Sequence, residues 1–354
     1  MTSGALLFKA GPEAYRSIRD DGFAEERIGT LVGASGGAKW LVLSQLDRVI
    51  LTRILPRIQH PVDTLGSSIG SWRFACYGQS DPVAAIERLE HAYIEQSYSE
   101  NPDTREITEK SREILAGVLG AGGVTEILNH PWLRTSIMTV RARHVTASDK
   151  RPLLGFGLLL AMSANAVHRR ALGAFFSRGL FYDPRSRPPF YDVTGFPIDR
   201  IPLTADNFAD AVLASGSIPM ILHGVRDIPG APRGTYRDGG VIDYHLDVPT
   251  ASADELTFFP HFFDWFKPGW FDRQLRWRAV NPANFARTLV ICPSPDFIAR
   301  LPDEKVPDRT DFVRLTPSER MRVWRQVVTQ CRELADELND ALDTDRIPAL
   351  LQPL

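Results

Sequence analysis

Two adjacent stretches decide the fold: GTLVGASGGAKWLVLSQLDRVILTRIL at 29–55 and PVDTLGSSIGSWRFACYG at 61–78. Each opens on a short apolar run that reads as a buried strand. Each then passes through a glycine-rich turn into an apolar segment of period near 3.6, which reads as a helix. Pro56 and Pro61 bracket the connection between them. Strand, helix, strand, helix within about 50 residues is a βαβ unit, and such units build parallel sheets.

Working outward, TSIMTVRARH from Thr135 and ARTLVICPS from Ala286 read as further strands. Residues 1–27 read as a partly helical lead-in. Leu153 to Arg178 reads as apolar helix, and PRSRPPFYDVTGFPIDRIP (184–202) as irregular. Thr316-Pro317-Ser318-Glu319 is a capping box with proline at the first helical position, opening a helix over 316–343. The expected architecture is a three-layer α/β/α sandwich on a mainly parallel sheet. The chain is read as a single domain over 1–354, with a core at about 28–295 and insertions at about 145–200 and 250–280.

Composition excludes several classes. Of 354 residues, 44% are hydrophobic and 24% charged, with a formal charge of −2. A balance so close to neutral supplies no global field for nucleic acid or for an anionic membrane. The three cysteines, Cys76, Cys292 and Cys331, are odd in number and lack metal-ligand spacing, so free thiols in a reducing, cytoplasmic setting are expected. No metal constellation and no cofactor motif stands out; GASGGAKW lacks the P-loop spacing. The N-terminal apolar run is too short for a secretory signal. LLGFGLLLAMSANAV (153–167) falls short of the roughly 20 residues needed to span a bilayer.

Two turns match Gly-x-Ser-x-Gly: GASGG on Ser35 and GSSIG on Ser68. A nucleophile on a sharp strand-to-helix turn needs small neighbours, here Gly66 and Gly70, and faces the positive end of the following helix. Ser68 suits that role better than Ser35. The Gly36–Gly37 pair, followed by Lys39, is suited instead to presenting backbone N–H groups to an anion. Far downstream, TYRDGGVIDYHLDVP (235–249) carries Asp238-Gly239-Gly240, where the glycine pair lets the carboxylate sit in a tight turn. Read alone, Asp-Gly is a common hairpin turn.

Together, SGGAKW at 35–40, GSSIG at 66–70, ASGSIPMIL at 214–222 and DGG at 238–240 resemble the patatin-like phospholipase family. The resemblance covers about 215 residues and implies a lipid acyl hydrolase without a catalytic histidine. It implies Ser68 as nucleophile and Asp238 as general base. The oxyanion hole would comprise the N–H groups of Gly36, Gly37, Ala38 and Ile69, with Lys39 standing where the family usually has arginine. Ser35 and Trp40 depart from its glycines, and VIDYHLDVP departs from its usual Asn-x-Pro ending.

Two rivals stay open. His245 follows Ser68 and Asp238 in the chain order of an α/β-hydrolase triad. A catalytically silent lipid-binding protein of the same fold is the other. The expected partner is a lipid or small ester, and peripheral membrane contact is compatible with two apolar segments. FFPHFFDWFKPGWF (258–271) reads as a loop packed on the core or as an acyl-pocket wall. Leu153–Val167 reads as a buried helix rather than a membrane-dipping lid.

Overall fold

The computed structural model describes residues 4–252 and 254–354. Strands β1 (Leu6–Ala10), β2 (Ile28–Gly33), β3 (Val62–Ser67), β4 (Leu133–Ala142), β5 (Phe176–Tyr182) and β6 (Ile198–Pro202) come first in the chain. Strands β7 (Val225–Arg226), β8 (Thr235–Asp238), β9 (Leu256–Pro260), β10 (Thr288–Pro293) and β11 (Leu351–Pro353) follow. They form one mixed sheet in the order β11-β1-β10-β9-β2-β3-β4-β5-β6. The run β10-β9-β2-β3-β4 is parallel throughout. With its helices, this sheet is the mixed α/β arrangement consistent with an α/β/α sandwich. β2 and β9 are buried at every position, as strands covered on both faces must be.

The longer helices are α1 (Pro12–Asp21), α2 (Ser44–Val49), α3 (Ile69–Tyr77), α4 (Pro82–Glu95), α5 (Thr104–Leu119), α6 (Gly123–Leu128), α7 (Arg151–Val167), α8 (Phe208–Ser215), α9 (Pro317–Gln330) and α10 (Arg332–Asp343). Helix α3 is buried at all nine positions. Its Arg73 guanidinium donates two hydrogen bonds to the Asp47 carboxylate of α2, and Tyr77 donates a third. A buried charge persists only when paired and hydrogen-bonded, and this pair is.

One feature positions the functional residues. β4 gives one edge to β5 and shares its other edge between two strands. β3 pairs along it from Leu133 to Met138, and β8 pairs antiparallel along it from Ala142 down to Thr139. The C-terminal ends of β3 and β8 therefore meet head to head, opposite the neighbouring residues Met138 and Thr139.

Several sequence expectations are corrected. Met1–Ser3 of the lead-in lie outside the described residues; beyond them Leu6–Ala10 is a strand, paired on one side with Leu289–Pro293 and on the other with Leu351–Pro353. The sheet thus extends past both limits of the 28–295 core. Leu256–Pro260 is a central strand rather than part of an insertion, because an apolar run buried on both faces shows no alternation. The stretch read as helix to Arg178 stops at Val167 and resumes as β5, and the irregular proline-rich stretch ends in β6. The helix after the first glycine turn is a succession of 3-10, α and π turns that ends at Arg57, one residue past Pro56, which lacks an N–H. The 316–343 helix is two helices broken at Cys331; the capping box at Thr316 is present. The break turns Leu334, Leu338 and Ala341 of α10 inward, where α10 packs on α2. Among the described residues, no helix is long and apolar enough to cross a membrane.

Candidate active site

Ser68 links β3 to α3 with φ 55° and ψ −126°. Such a conformation costs a non-glycine residue about 1–3 kcal/mol and persists only where its surroundings enforce it. Glycines enforce the sharpness. A Cβ at Gly66 would lie 2.5 Å from the Ser71 nitrogen, and one at Gly70 would lie 1.9 Å from the Gly33 carbonyl oxygen. A serine network holds the strained peptide. The Ser68 N–H donates to Ser215 Oγ at 2.9 Å, and Ser215 in turn donates to the Met138 carbonyl at 2.7 Å. Ser71 Oγ lies 2.9 Å from Ser215 Oγ.

Because β3 and β8 end against each other on β4, the Ser68 hydroxyl donates directly to Asp238 Oδ2 at 2.7 Å. The other carboxylate oxygen, Oδ1, accepts the Gly240 N–H at 2.7 Å. Ser68 is 5% exposed and Asp238 6%, so the pair sits beneath the surface. Burial pushes the Asp238 carboxyl up from 3.8 to about 6, opposed by the hydrogen bonds from Ser68 and Gly240 and by the distant charge of Arg309. A carboxylate of this kind is half-protonated near pH 6 and accepts a proton more readily than an exposed one.

The glycine loop after β2 reaches the same place. Among the described residues, no carboxylate or imidazole hydrogen-bonds the Ser35 hydroxyl. It donates to Ser67 Oγ at 2.9 Å, and a Cβ on Gly240 would lie 2.6 Å from Ser35 Oγ. A Cβ on Gly239 would lie 2.7 Å from Ser67 Oγ. The loop, the elbow and the aspartate turn therefore touch through Ser35, Ser67, Gly239 and Gly240. Gly36 lies against Phe262, where a Cβ would come within 2.6 Å of the ring, and Gly37 has φ +55°. Gly37 and Ala38 open a 3-10 helix and Ile69 opens α3, so their N–H groups have no partner within those helices. These are the groups expected at an oxyanion hole.

Lys39 is not the solvated side chain its position suggests. It is half-buried with Nζ 5.8 Å from the Phe262 ring centroid. Burial, with Arg273 nearby, draws its ammonium down to about 8. Trp40 does not intrude on the loop: it is fully buried in the core, edge-on to Tyr93.

His245 does not complete a triad. Asp238 is occupied by Ser68 and Gly240, with no imidazole between. His245 Nδ1 accepts the Lys267 N–H at 3.1 Å, and its ring stacks on Tyr244 at 4.5 Å and meets His261 edge-on at 4.4 Å. Burial drives its pKa well below the usual value, so the ring is neutral. The 258–271 segment, read as core-packed loop or pocket wall, supplies β9 and then a loop with buried His261 and Phe262 and exposed Trp265.

A surface cavity of about 580 Å3, lined by Arg169, Arg178, Asp192 and Asp247 among others, does not reach Ser68 or Asp238. Among the described residues, no three His, Cys, Asp or Glu side chains are grouped so as to hold a metal ion. Sequence reasoning assigned no role to Ser67 or Ser215 and read Ser35 as a rival nucleophile or as a departure from the loop's first glycine. The ASGSIP segment, with Ser215 at its second position, was the available signal.

No protein-family profile and no curated protein sequence matches the chain. Among solved structures it is similar to VipD from Legionella pneumophila, at 12% identity and a TM-score of 0.34, over 75% of this chain and 55% of that one. The chain thus spans about half the length of that protein, and a likeness at this level carries no argument.

Proposed function

We propose that this chain is a serine carboxylic-ester hydrolase of the patatin-like phospholipase type, acting on lipid acyl esters. The observation that carries the reading is the 2.7 Å hydrogen bond from Ser68 Oγ to Asp238 Oδ2 on a strained strand-to-helix elbow. Ser68 Oγ attacks the ester carbonyl carbon while Asp238 takes the hydroxyl proton. The carbonyl oxygen becomes an oxyanion, held by N–H groups of Gly36, Gly37, Ala38 and Ile69. One such donor is typically worth about 3–4 kcal/mol in the transition state. Collapse breaks the ester C–O bond, and Asp238 returns its proton to the departing alcohol. Water then attacks the acyl-Ser68, giving up a proton to Asp238; the acid leaves and Ser68 Oγ is reprotonated.

The test is hydrolysis of p-nitrophenyl esters of increasing chain length by purified wild type, Ser68→Ala and Asp238→Asn. Both variants should lose roughly a thousandfold or more in kcat/KM with the fold retained. Activity retained in either rejects the dyad. A wild type no faster than both variants, and unlabelled by a fluorophosphonate, would make the chain a silent lipid binder.

A further inference from the structure

Helix α7 presents two unlike faces. Leu154, Gly157, Ala161 and Asn165 are buried against the fold. The opposite side exposes Leu153 (45%), Phe156 (55%), Leu159 (54%), Leu160 (40%), Met162 (47%) and Val167 (88%). At 3.6 residues per turn these side chains sweep about half the helix cylinder. From Pro152 to Val167 the helix has no charged residue, and Ser163 is the polar side chain on its exposed side. The sequence reading of a buried helix is thus corrected: one narrow stripe is buried and the rest is apolar and exposed. A face this apolar marks a binding surface rather than ordinary protein exterior.

Charge identifies what covers it. Lys150 and Arg151 stand at the start of α7, with His168, Arg169 and Arg170 just past its end. Lys150, Arg151 and Arg170 are exposed, and among the described residues none of the three has a carboxylate in ion-pair range. Cations at a helix N-terminus oppose its dipole, so Lys150 and Arg151 do not serve helix stability. A second copy of the chain would bring like charges together. A folded protein partner would ordinarily find about one hydrogen bond per 100–200 Å2, and this face offers one hydroxyl. An apolar strip capped at both ends by unpaired cations matches the boundary between headgroups and acyl chains of an anionic bilayer. Trp277 is 71% exposed, and the next residue, Arg278, donates to the Asn165 carbonyl near the end of α7. Tryptophan is the side chain enriched at that boundary.

We infer that α7 is an interfacial helix that docks this chain onto an anionic lipid surface. The buried stripe of α7 packs beside the turn that carries Asp238. Ala161 shares a small core with Val241 and Ile242, directly beyond the Asp238 turn. A Cβ on Gly155 would touch Met220 at 3.9 Å, within the loop whose Ser217 carbonyl accepts the Asp238 N–H. Docking requires no chemistry, so it stands or falls apart from ester hydrolysis.

Vesicle flotation of the full chain tests it, using phosphatidylcholine with and without phosphatidylglycerol. Wild type should float with the anionic vesicles and release as salt rises. Each large apolar side chain withdrawn from lipid is worth roughly a tenfold factor. Phe156→Ser/Leu159→Ser/Leu160→Ser should therefore lose binding by at least about tenfold, and Arg151→Glu/Arg170→Glu should lose the preference for phosphatidylglycerol. Brominated acyl chains should also quench tryptophan fluorescence of the unaltered chain, a readout independent of variant folding. Absence of wild-type flotation, or a triple variant that floats as wild type, overturns the inference. So does a wild-type dimer in sedimentation velocity that the triple variant dissolves, because a second copy would then cover the face.

Discussion

Ser68 and Asp238 each occupy a position that the fold must hold against an intrinsic preference. Ser68 has a left-handed φ without being glycine, and Ser215 anchors its N–H. Asp238 is a carboxylate out of water, pushed up from 3.8 to about 6. The sign follows from linkage: a folded-state pKa above that of the unfolded chain means the native state holds its proton more tightly. The associated stability is full below about pH 4 and is lost as pH rises through about 6. Above that, wild type carries the cost of a buried charge, at most about 3 kcal/mol. Asp238→Asn is expected to be more stable than wild type at pH 8 by up to that amount, with the gap closing near pH 4. Urea melts at both pH values measure it, and a gap independent of pH rules it out. In the same range kcat/KM should climb as pH passes about 6 and Asp238 becomes able to accept a proton. Both residues were legible in the sequence because each sits in a glycine-bearing turn. The bracing roles of Ser35, Ser67 and Ser215 were not, although all three lie in the quoted motifs, because their partners are far away in the chain.

At the scale of elements, the elbow depends on how closely α3 is pressed onto β2. The 1.9 Å between a Gly70 Cβ and the Gly33 carbonyl leaves no room for alanine. Gly70→Ala should destabilise by about 3 kcal/mol or more, since backbone must move on both sides. Gly117, inside α5, has nothing within 4 Å of its absent Cβ. There Gly117→Ala should stabilise by about 0.5–1 kcal/mol, from helix propensity alone. Thermal melts of the two variants separate packing glycines from incidental ones, and shifts of the same sign would contradict the contrast. The GSSIG motif marked the turn, but the reason for its second glycine is a contact with another strand. Element type was read well where the hydrophobic period was long. It failed at β1, β6 and β9, which are five residues each and too short or too uniformly apolar to show a period, and at the start of β5, read as a continuation of helix.

Over the whole molecule, the aspartate turn is tied across β4 to its next strand, β5. Arg178 of β5 donates two hydrogen bonds to Asp243, at 2.7 and 2.8 Å, and a third to the Thr194 carbonyl. Arg178 is 3% exposed and Asp243 fully buried. Removing one partner of such a pair leaves the other charged and dry, at a cost of about 3–5 kcal/mol. Asp243→Ala should therefore lower the unfolding free energy by that amount in urea; a loss below about 1 kcal/mol would mean that water or another carboxylate reaches Arg178. Both chain ends join the same sheet, with β1 lying between β10 and β11. The β11 edge of the sheet thus depends on segments that the chain's central pattern does not contain.

The sequence by itself determined the βαβ start, the two glycine turns, the aspartate turn and the capping box, because each is a matter of local sterics, periodicity and hydrogen bonding within a few residues. Tertiary structure decided what brings positions 68 and 238 together: β3 and β8 end to end on one edge of β4. It also decided that His245 stacks on aromatic rings instead of bridging them, and that α7 keeps an apolar face uncovered. Strand order and the covering of a face are set by contacts between residues far apart in the chain, and local propensity carries no record of them.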